Sequence, residues 1–338
     1  MSAPQPAHDP PRLQLAYAAA DTLPRQLEDP RVLAVVGFGT GAPRVDDPRW
    51  LRVPLQPLPG QAPLIEVWRG GGPVASGRDG DVAWADDGRL LFGALEVDED
   101  GADIEAAAGR AYARMQAFLA ARGAPRLLRV WNYLDAITEG EGDAERYRRF
   151  CVGRAAGMGR VEAAALPAAT AIGRRDGVRR LQVYWLAARA AGTPVENPRQ
   201  VSAYRYPRQY GPQPPSFARA MLPPDGAAMP LLLSGTAAIV GHASQHLDSV
   251  QAQVDETLAN LDSLIAAARR RAPALPPSLG PGSLLKVYVR DREDAAAVAA
   301  RLDAHLGPSV PRLLLHAQVC RRELRVEIDG AHGPAPAA

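Results

Sequence analysis

The sequence predicts an α+β protein made of two similar units in one chain, with mixed sheets and helices packed outside. Three observations point there. Strand, helix, strand, helix and strand patterns follow one another twice along the chain. Leu127-Leu128-Arg129-Val130 and Leu284-Leu285-Lys286-Val287 hold equivalent places in the two runs. A length of 338 residues with 47% apolar content is enough to bury two ordinary cores. The expected division is a disordered start over 1–12, a first unit over 13–195, a second over 196–330 and a disordered tail over 331–338.

In the first unit, Val32–Val36 reads as an apolar strand, and Leu64–Arg69 and Asp81–Asp98 alternate in strand fashion, with a hairpin turn at Asp86-Asp87-Gly88. A helix follows over about Ala102–Arg122. Ile104, Ala108, Ala111, Met115, Phe118 and Leu119 share one of its faces, and Gly123 and Pro125 end it. Leu127–Tyr133 is a strand, Asp143 a plausible N-cap for a helix reaching Gly157, and Ala168–Ile172 and Leu181–Leu186 two further strands. Gly192–Pro198 reads as the linker. In the second unit, Val201–Tyr206 and Met229–Val240 are candidate strands. A helix over about Gln245–Arg271 lines its buried face with Leu247, Val250, Val254, Leu258, Leu261 and Ile265. Leu284–Val289 is a strand, Glu293–Leu306 a helix, and Leu313–Ile328 one or two strands. Two such units side by side would leave a cleft at their junction.

Composition narrows the function classes. Lys plus Arg number 39 and Asp plus Glu 37, a net charge of +2, which excludes a broad basic face for nucleic acid. Every basic residue except Lys286 is arginine, so there is no G-K-[ST] phosphate loop. Cys151 and Cys320 stand alone and imply no disulfide framework. Met1–Arg12 shows no basic region followed by an apolar one, and the uncharged run Gly226–Ser244 is broken by Pro230, Gly235 and Gly241. A cytoplasmic protein without a membrane span is expected.

Several motifs carry possible chemistry. Gly37-Phe38-Gly39-Thr40-Gly41 follows a strand, but Ala42-Pro43-Arg44 comes next where a phosphate-binding loop needs a helix. His242 and His246 have a metal-ligand spacing without an evident third ligand; a satisfied, partly buried pair explains them better. Cys151 reads as core packing. Arginine and tyrosine concentrate twice, over Arg146–Arg154 and over Tyr204–Tyr210 with Ser216–Arg219. Tyr147 and Arg154, seven apart, share a helix face. Guanidinium forks pair bidentately with carboxylates, so two such groups suit a small dianion; a solvated helix face and a polar loop account for the same residues without function. In the tail, Leu324, Val326 and Ile328 would face helices, with Glu323, Arg325 and Glu327 opposite. Cys320 and Glu327 differ by an odd number, so both reach one site only across a bulge or bend. Glu327 becomes a general acid if burial raises its pKa.

Arg129-Val130-Trp131-Asn132-Tyr133, Arg146-Tyr147 through Gly153-Arg154, Ser202–Pro207, Ser234-Gly235-Thr236-Ala237 with Gly241-His242, and the Cys320–Glu327 tail together resemble the chorismatases. These are chorismate-cleaving enzymes of RidA (YjgF) type fold, and the resemblance runs from about residue 30 to 330. It implies that each unit is RidA-like, that the partner is a small molecule, chorismate, and that neither metal nor organic cofactor takes part. It implies that Tyr147, Arg154, Tyr206 and Arg219 contact substrate, that Ala238 lines the site, and that Glu327 is the catalytic acid/base. Cys320 resembles the branches that form hydroxybenzoate, through an arene oxide opening to 3- or 4-hydroxybenzoate plus pyruvate. Such products serve pigment and quinone precursors. Two fused units reduce the need for a homotrimer, so a monomer or weak oligomer is expected. The alternatives are a chorismate hydrolase giving a dihydroxycyclohexadiene carboxylate, a RidA-like imine deaminase, and a non-catalytic small-acid-binding module.

Overall fold

The computed structural model describes residues 10–99, 101, 103–123 and 126–334. Within them one strand order occurs twice. In the first copy Ala168–Arg174 lies parallel to Arg126–Asp135. Arg180–Ala188, Leu90–Asp98 and Val82–Asp86 then follow antiparallel, with Ala75–Asp79 as an added edge. In the second, Arg312–His316 lies parallel to Ser283–Val289. Val326–His332, Leu231–Ala237 and Ala220–Leu222 follow antiparallel, with Thr193–Val195 at the edge. Helices Ile104–Ala121 and Arg146–Met158 serve the first sheet, Val250–Arg269 and Ala295–Leu306 the second. The repeat read from the sequence is therefore a repeat of topology, and the fold is α+β.

Period-two alternation assigns the layers. Along Arg126–Asp135, Val130 and Leu134 pack toward the helices, while Trp131 and Tyr133 face the interior between the sheets. Along Ser283–Val289, Leu285, Val287 and Val289 meet the helices of the second unit. The helix 104–121 buries Ile104, Ala108, Ala111, Met115, Phe118 and Leu119 as its spacing predicts, and Asp103 caps it by accepting from the Ala106 amide at 3.0 Å. Residues 14–69 belong to neither copy. Gln14–Ala19, Leu64–Arg69, Val32–Phe38 and Trp50–Val53 form a third, four-stranded sheet. From it, Gln56–Pro57 crosses over and pairs with Leu315 and His316 at the edge of the second sheet.

Where the three sheets meet, four charged side chains are each 2% exposed or less. Glu66 comes from the four-stranded sheet, Arg129 from the first unit, and Lys286 and Asp329 from the second. Lys286 Nζ donates to Glu66 Oε2 at 2.9 Å and lies 3.6 Å from Asp329 Oδ1. Asp329 Oδ2 accepts from Arg129, Trp131 Nε1, Thr170 Oγ1 and Tyr288 OH at 2.7–3.1 Å. Burial opposes the Lys286 charge, but Asp329 and Glu66 together hold its pKa above the ordinary value.

Several expectations are corrected. Gly192–Pro198 is not a free linker, because Thr193–Val195 pairs with Ala220–Leu222. Val201–Tyr206 forms no strand; Ala203–Arg205 makes a 3₁₀ turn between Ser202 and Pro207. The helix expected from Gln245 begins at Val250 with Ser249 capping the Ala252 amide, since His246 takes a positive φ of 55°, and Leu247 is exposed. The helix expected from Asp143 begins at Arg146, and Asp143 sits in a separate 3₁₀ turn paired with Arg208. Ala331 and His332 are not disordered but continue the strand Val326–His332, with His332 donating or accepting at Ser283 Oγ, 2.9 Å away. Arg12 forms a bridge with Ala228. Residues 1–9, Ala102, Pro125 and 335–338 lie outside the described residues.

The four buried charges sum to zero, so removing one leaves its neighbour uncompensated. Arg129→Met should lower unfolding free energy by about 3–5 kcal/mol, measured by urea denaturation.

Candidate active site

Between the two units lies a cavity of about 320 Å³. Its floor is set by strand alternation. Val326 and Ile328 point to the helices, so Glu327 and Asp329 share the opposite face, toward the first unit. Opposite them the strand Leu231–Ala237 bulges. Leu233 pairs with Gly330 and Thr236 with Ile328, leaving Ser234 and Gly235 against Asp329 alone. The bulge is stitched to the first unit, where the Ala169 amide donates to Ser234 Oγ at 2.9 Å and the Gly235 amide donates to Thr170 Oγ1 at 3.0 Å. A side chain at Gly235 would land on the Glu327 carboxylate, so only glycine admits the acid at that depth.

Glu327 is 5% exposed, and burial raises its pKa to about 8, with Asp329 adding to the rise and Arg129, Arg219 and Arg321 opposing it. It therefore carries a proton near neutral pH while lying among arginines. The cations nearest to Asp329 are already engaged there.

The cavity walls hold the guanidinium groups. Arg154, on the helix Arg146–Met158, is 3% exposed, and its Nε and Nη2 have no hydrogen-bond partner among the described residues. Arg219 comes from the second unit. Its Nη2 donates to Tyr206 OH at 2.7 Å and to the Val201 carbonyl at 2.9 Å, while its buried Nε is unpaired. Buried donors without acceptors are costly, and a ligand carboxylate would satisfy them. Arg321 lies over the Tyr210 ring at 4.1 Å and donates to the His242 carbonyl at 2.9 Å. Tyr147 lines the same space, its phenol pKa raised by burial.

Cys320 reaches the cavity as well. The turn that the odd separation requires is present: the Leu324 amide bonds to the Arg321 carbonyl, and Val326 starts the strand. Burial first, then Glu327, raises the thiol pKa, so it stays neutral. Of the residues expected at the site, Glu327, Cys320, Tyr147, Arg154, Tyr206 and Arg219 line one cavity. Ala238 does not. It is fully buried among Ile239, Val319 and Leu324, because successive residues of extended chain point to opposite sides, and Ala237 and Ile239 face the cavity instead.

The other motifs have partners of their own. His242 Nδ1 lies 3.2 Å from Tyr210 OH, and His246 Nε2 lies 3.1 Å from Glu256. Cys151 is buried, with its thiol pushed up to about 12. Gly37–Gly41 runs into a turn and then the strand Trp50–Val53, not a helix. Arg148 lines the cavity mouth near Glu145, whereas Arg205 is exposed and Arg208 is paired with Asp143. Among the described residues no three His, Cys, Asp or Glu side chains converge on a metal position, and no helix is long and apolar enough to cross a membrane.

Sequence reasoning missed Thr170, Gly235, Arg321 and Glu323 as lining residues, along with the four-charge cluster behind Glu327. One signal was available. Lys286 is the one charged residue of the strand Ser283–Val289, whose neighbours are mostly apolar, and a lone charge in such a strand calls for a buried partner.

Comparison with known proteins places the chain in a family. Residues 66–187 match the family model described as chorismatase FkbO/Hyg5-like, N-terminal. A chorismatase of Streptomyces hygroscopicus is 38% identical over 275 residues, 79% of this chain and 78% of that protein. A 3-hydroxybenzoate synthase of the same species is 36% identical over 282 residues, 80% and 82% of the two chains. The crystal structure of a chorismatase superposes with a TM-score of 0.83 at 33% identity, covering 95% of this chain and 98% of that one. The chain belongs to the chorismatase family, and it is an enzyme of the chorismate-cleaving class.

Gly235→Ala tests the packing at the acid. The added methyl displaces the Glu327 carboxylate, and turnover should fall about 100-fold, the usual cost of misplacing a reacting group by about an ångström. The melting temperature should change little by comparison.

Proposed function

We propose that this enzyme converts chorismate to 3-hydroxybenzoate, 4-hydroxybenzoate or both, with pyruvate. The observation that carries the reading is a buried carboxyl group, its pKa raised to about 8 by that burial, inside a cavity walled by arginines with unpaired donors. A dianion supplies what those arginines lack. The first unit contributes Tyr147 and Arg154, the second Tyr206 and Arg219, so the two carboxylates of one substrate bridge the two units.

Glu327 donates its proton to the enolpyruvyl methylene. Positive charge then builds beside the ether oxygen, the bond from that oxygen to the ring breaks, and pyruvate departs. The neighbouring ring hydroxyl closes on the vacated carbon as an arene oxide and returns a proton to the Glu327 carboxylate. Opening of either C–O bond of the oxide, with loss of a ring proton, gives one or the other hydroxybenzoate. Atoms balance without added water. Neutral Cys320 sits beside Glu327 where such an oxide would form, and its bulk and weak donor character favour ring closure over entry of water.

Incubation of the protein with chorismate should yield pyruvate and an aromatic acid in equal amounts, resolved by chromatography; a dihydroxycyclohexadiene carboxylate in their place would redirect the reading to the hydrolytic branch. Glu327→Gln should cost at least ~100-fold in turnover with the fold retained. Because the acid works in its protonated form, the rate should be level below pH 8 and fall as pH rises through about 8, as a pH–rate profile would record. Cys320→Ala should change the product ratio more than total turnover.

A further inference from the structure

The four-stranded N-terminal sheet belongs to neither repeat, yet it reaches the chemistry. Its Glu66 is buried and takes one hydrogen bond from Trp68 Nε1 at 2.7 Å and another from Lys286 Nζ at 2.9 Å. Lys286, the chain's single lysine, stands 3.6 Å from Asp329 Oδ1, an oxygen that accepts no hydrogen bond among the described residues. Asp329 shares its strand face with Glu327, two residues away. The ammonium is thus divided between two carboxylates, and the hydrogen bond goes to the one on the N-terminal sheet.

We propose that Glu66 and Lys286 are positioning residues for the reaction, in which Glu66 shares the lysine's charge with Asp329 so that Asp329 stays a partly uncompensated negative neighbour of Glu327. The proposal rests on the reading of Glu327 as the acid. From the surrounding elements Glu327 meets Arg129, Arg219 and Arg321, which favour its ionised form, and Tyr147 and Cys320, which are neutral. On its own strand Asp329 is the group opposing ionisation. Four residues from three sheets therefore decide how strongly that opposition is felt. If the Glu66 charge is lost, Lys286 turns its full charge on Asp329, the potential at Glu327 becomes more positive, and the ionised carboxylate is favoured.

Glu66→Gln removes the charge while keeping the side chain's size; its one amide oxygen can accept from Lys286 Nζ or from Trp68 Nε1 but not from both. Difference infrared titration of the full chain, with the Glu327 carboxyl band identified by its loss in Glu327→Gln, reads the acid directly and needs no substrate. The midpoint in Glu66→Gln should move down by about one pH unit, and the basic limb of the chorismate pH–rate profile should move with it, with the low-pH rate retained. Lys286→Met strips the cation and should leave the midpoint in place or raise it. An unmoved midpoint in folded Glu66→Gln overturns the proposal; so does a lowered midpoint in Lys286→Met, which decides the matter if circular dichroism shows Glu66→Gln unfolded. Absence of chorismate turnover by the unsubstituted protein, together with the expected infrared shift, would overturn the proposed function and with it the role in this reaction, while the coupling of Glu66 to Glu327 through Lys286 and Asp329 would stand.

Discussion

The structure depends on a balance of four charges that water does not reach. Glu66, Arg129, Lys286 and Asp329 close on one another where three sheets converge, two of each sign. Isolated buried charges are costly, and such a cluster persists only when each member is compensated. The compensation has a second effect. Arg129 and Lys286 hydrogen-bond to Asp329 and Glu66, so neither pairs directly with the next carboxyl along the strand, and the pull of Arg129 on that carboxyl is outweighed by burial and by Asp329. Glu327 is left with burial on one side and a negative neighbour on the other, and it keeps its proton. The scaffold and the acid are thus consequences of one arrangement.

The same logic explains the contrast between floor and walls. On the floor most hydrogen bonds converge on one atom: Asp329 Oδ2 accepts four, while Asp329 Oδ1 and Arg129 Nε take none among the described residues. On the walls, Arg154 and Arg219 keep donors unpaired. A folded protein tolerates such unpaired groups where a ligand completes them. The tyrosines and the Arg321 stack hold the guanidinium planes in place, so little ordering remains to be done when an anion arrives.

Much of the fold was legible because alternation and helical spacing are local signals. The helix face from Ile104 to Leu119 and the strands around Arg129 and Lys286 follow them directly. The Arg and Tyr side chains that meet in the cavity were legible as two clusters, but their density alone fitted a solvated face as well, and it was the family resemblance that pointed them at a substrate. What failed was set by distant contacts. Val201–Tyr206 looks like a strand until Tyr206 is seen to lie against Arg219 and Arg321. Thr193–Val195 looks like a linker because its partner strand lies 25 or more residues onward. Ala238 and the four-charge cluster were beyond reach for a related reason. Which side of a short extended segment faces a cavity, and which polar residue of an apolar strand finds a partner, depend on a second element far away in the chain.

The short crossing of Gln56–Pro57 has its own consequence. These two residues cover the Leu315–His316 end of the strand Arg312–His316, which would otherwise end the second sheet as an open border of amides and carbonyls. A proline has no amide hydrogen to offer, and a two-residue segment presents too little backbone to template another chain. The segment leading out of the N-terminal sheet therefore leaves less of this edge of its neighbour free to pair with another strand.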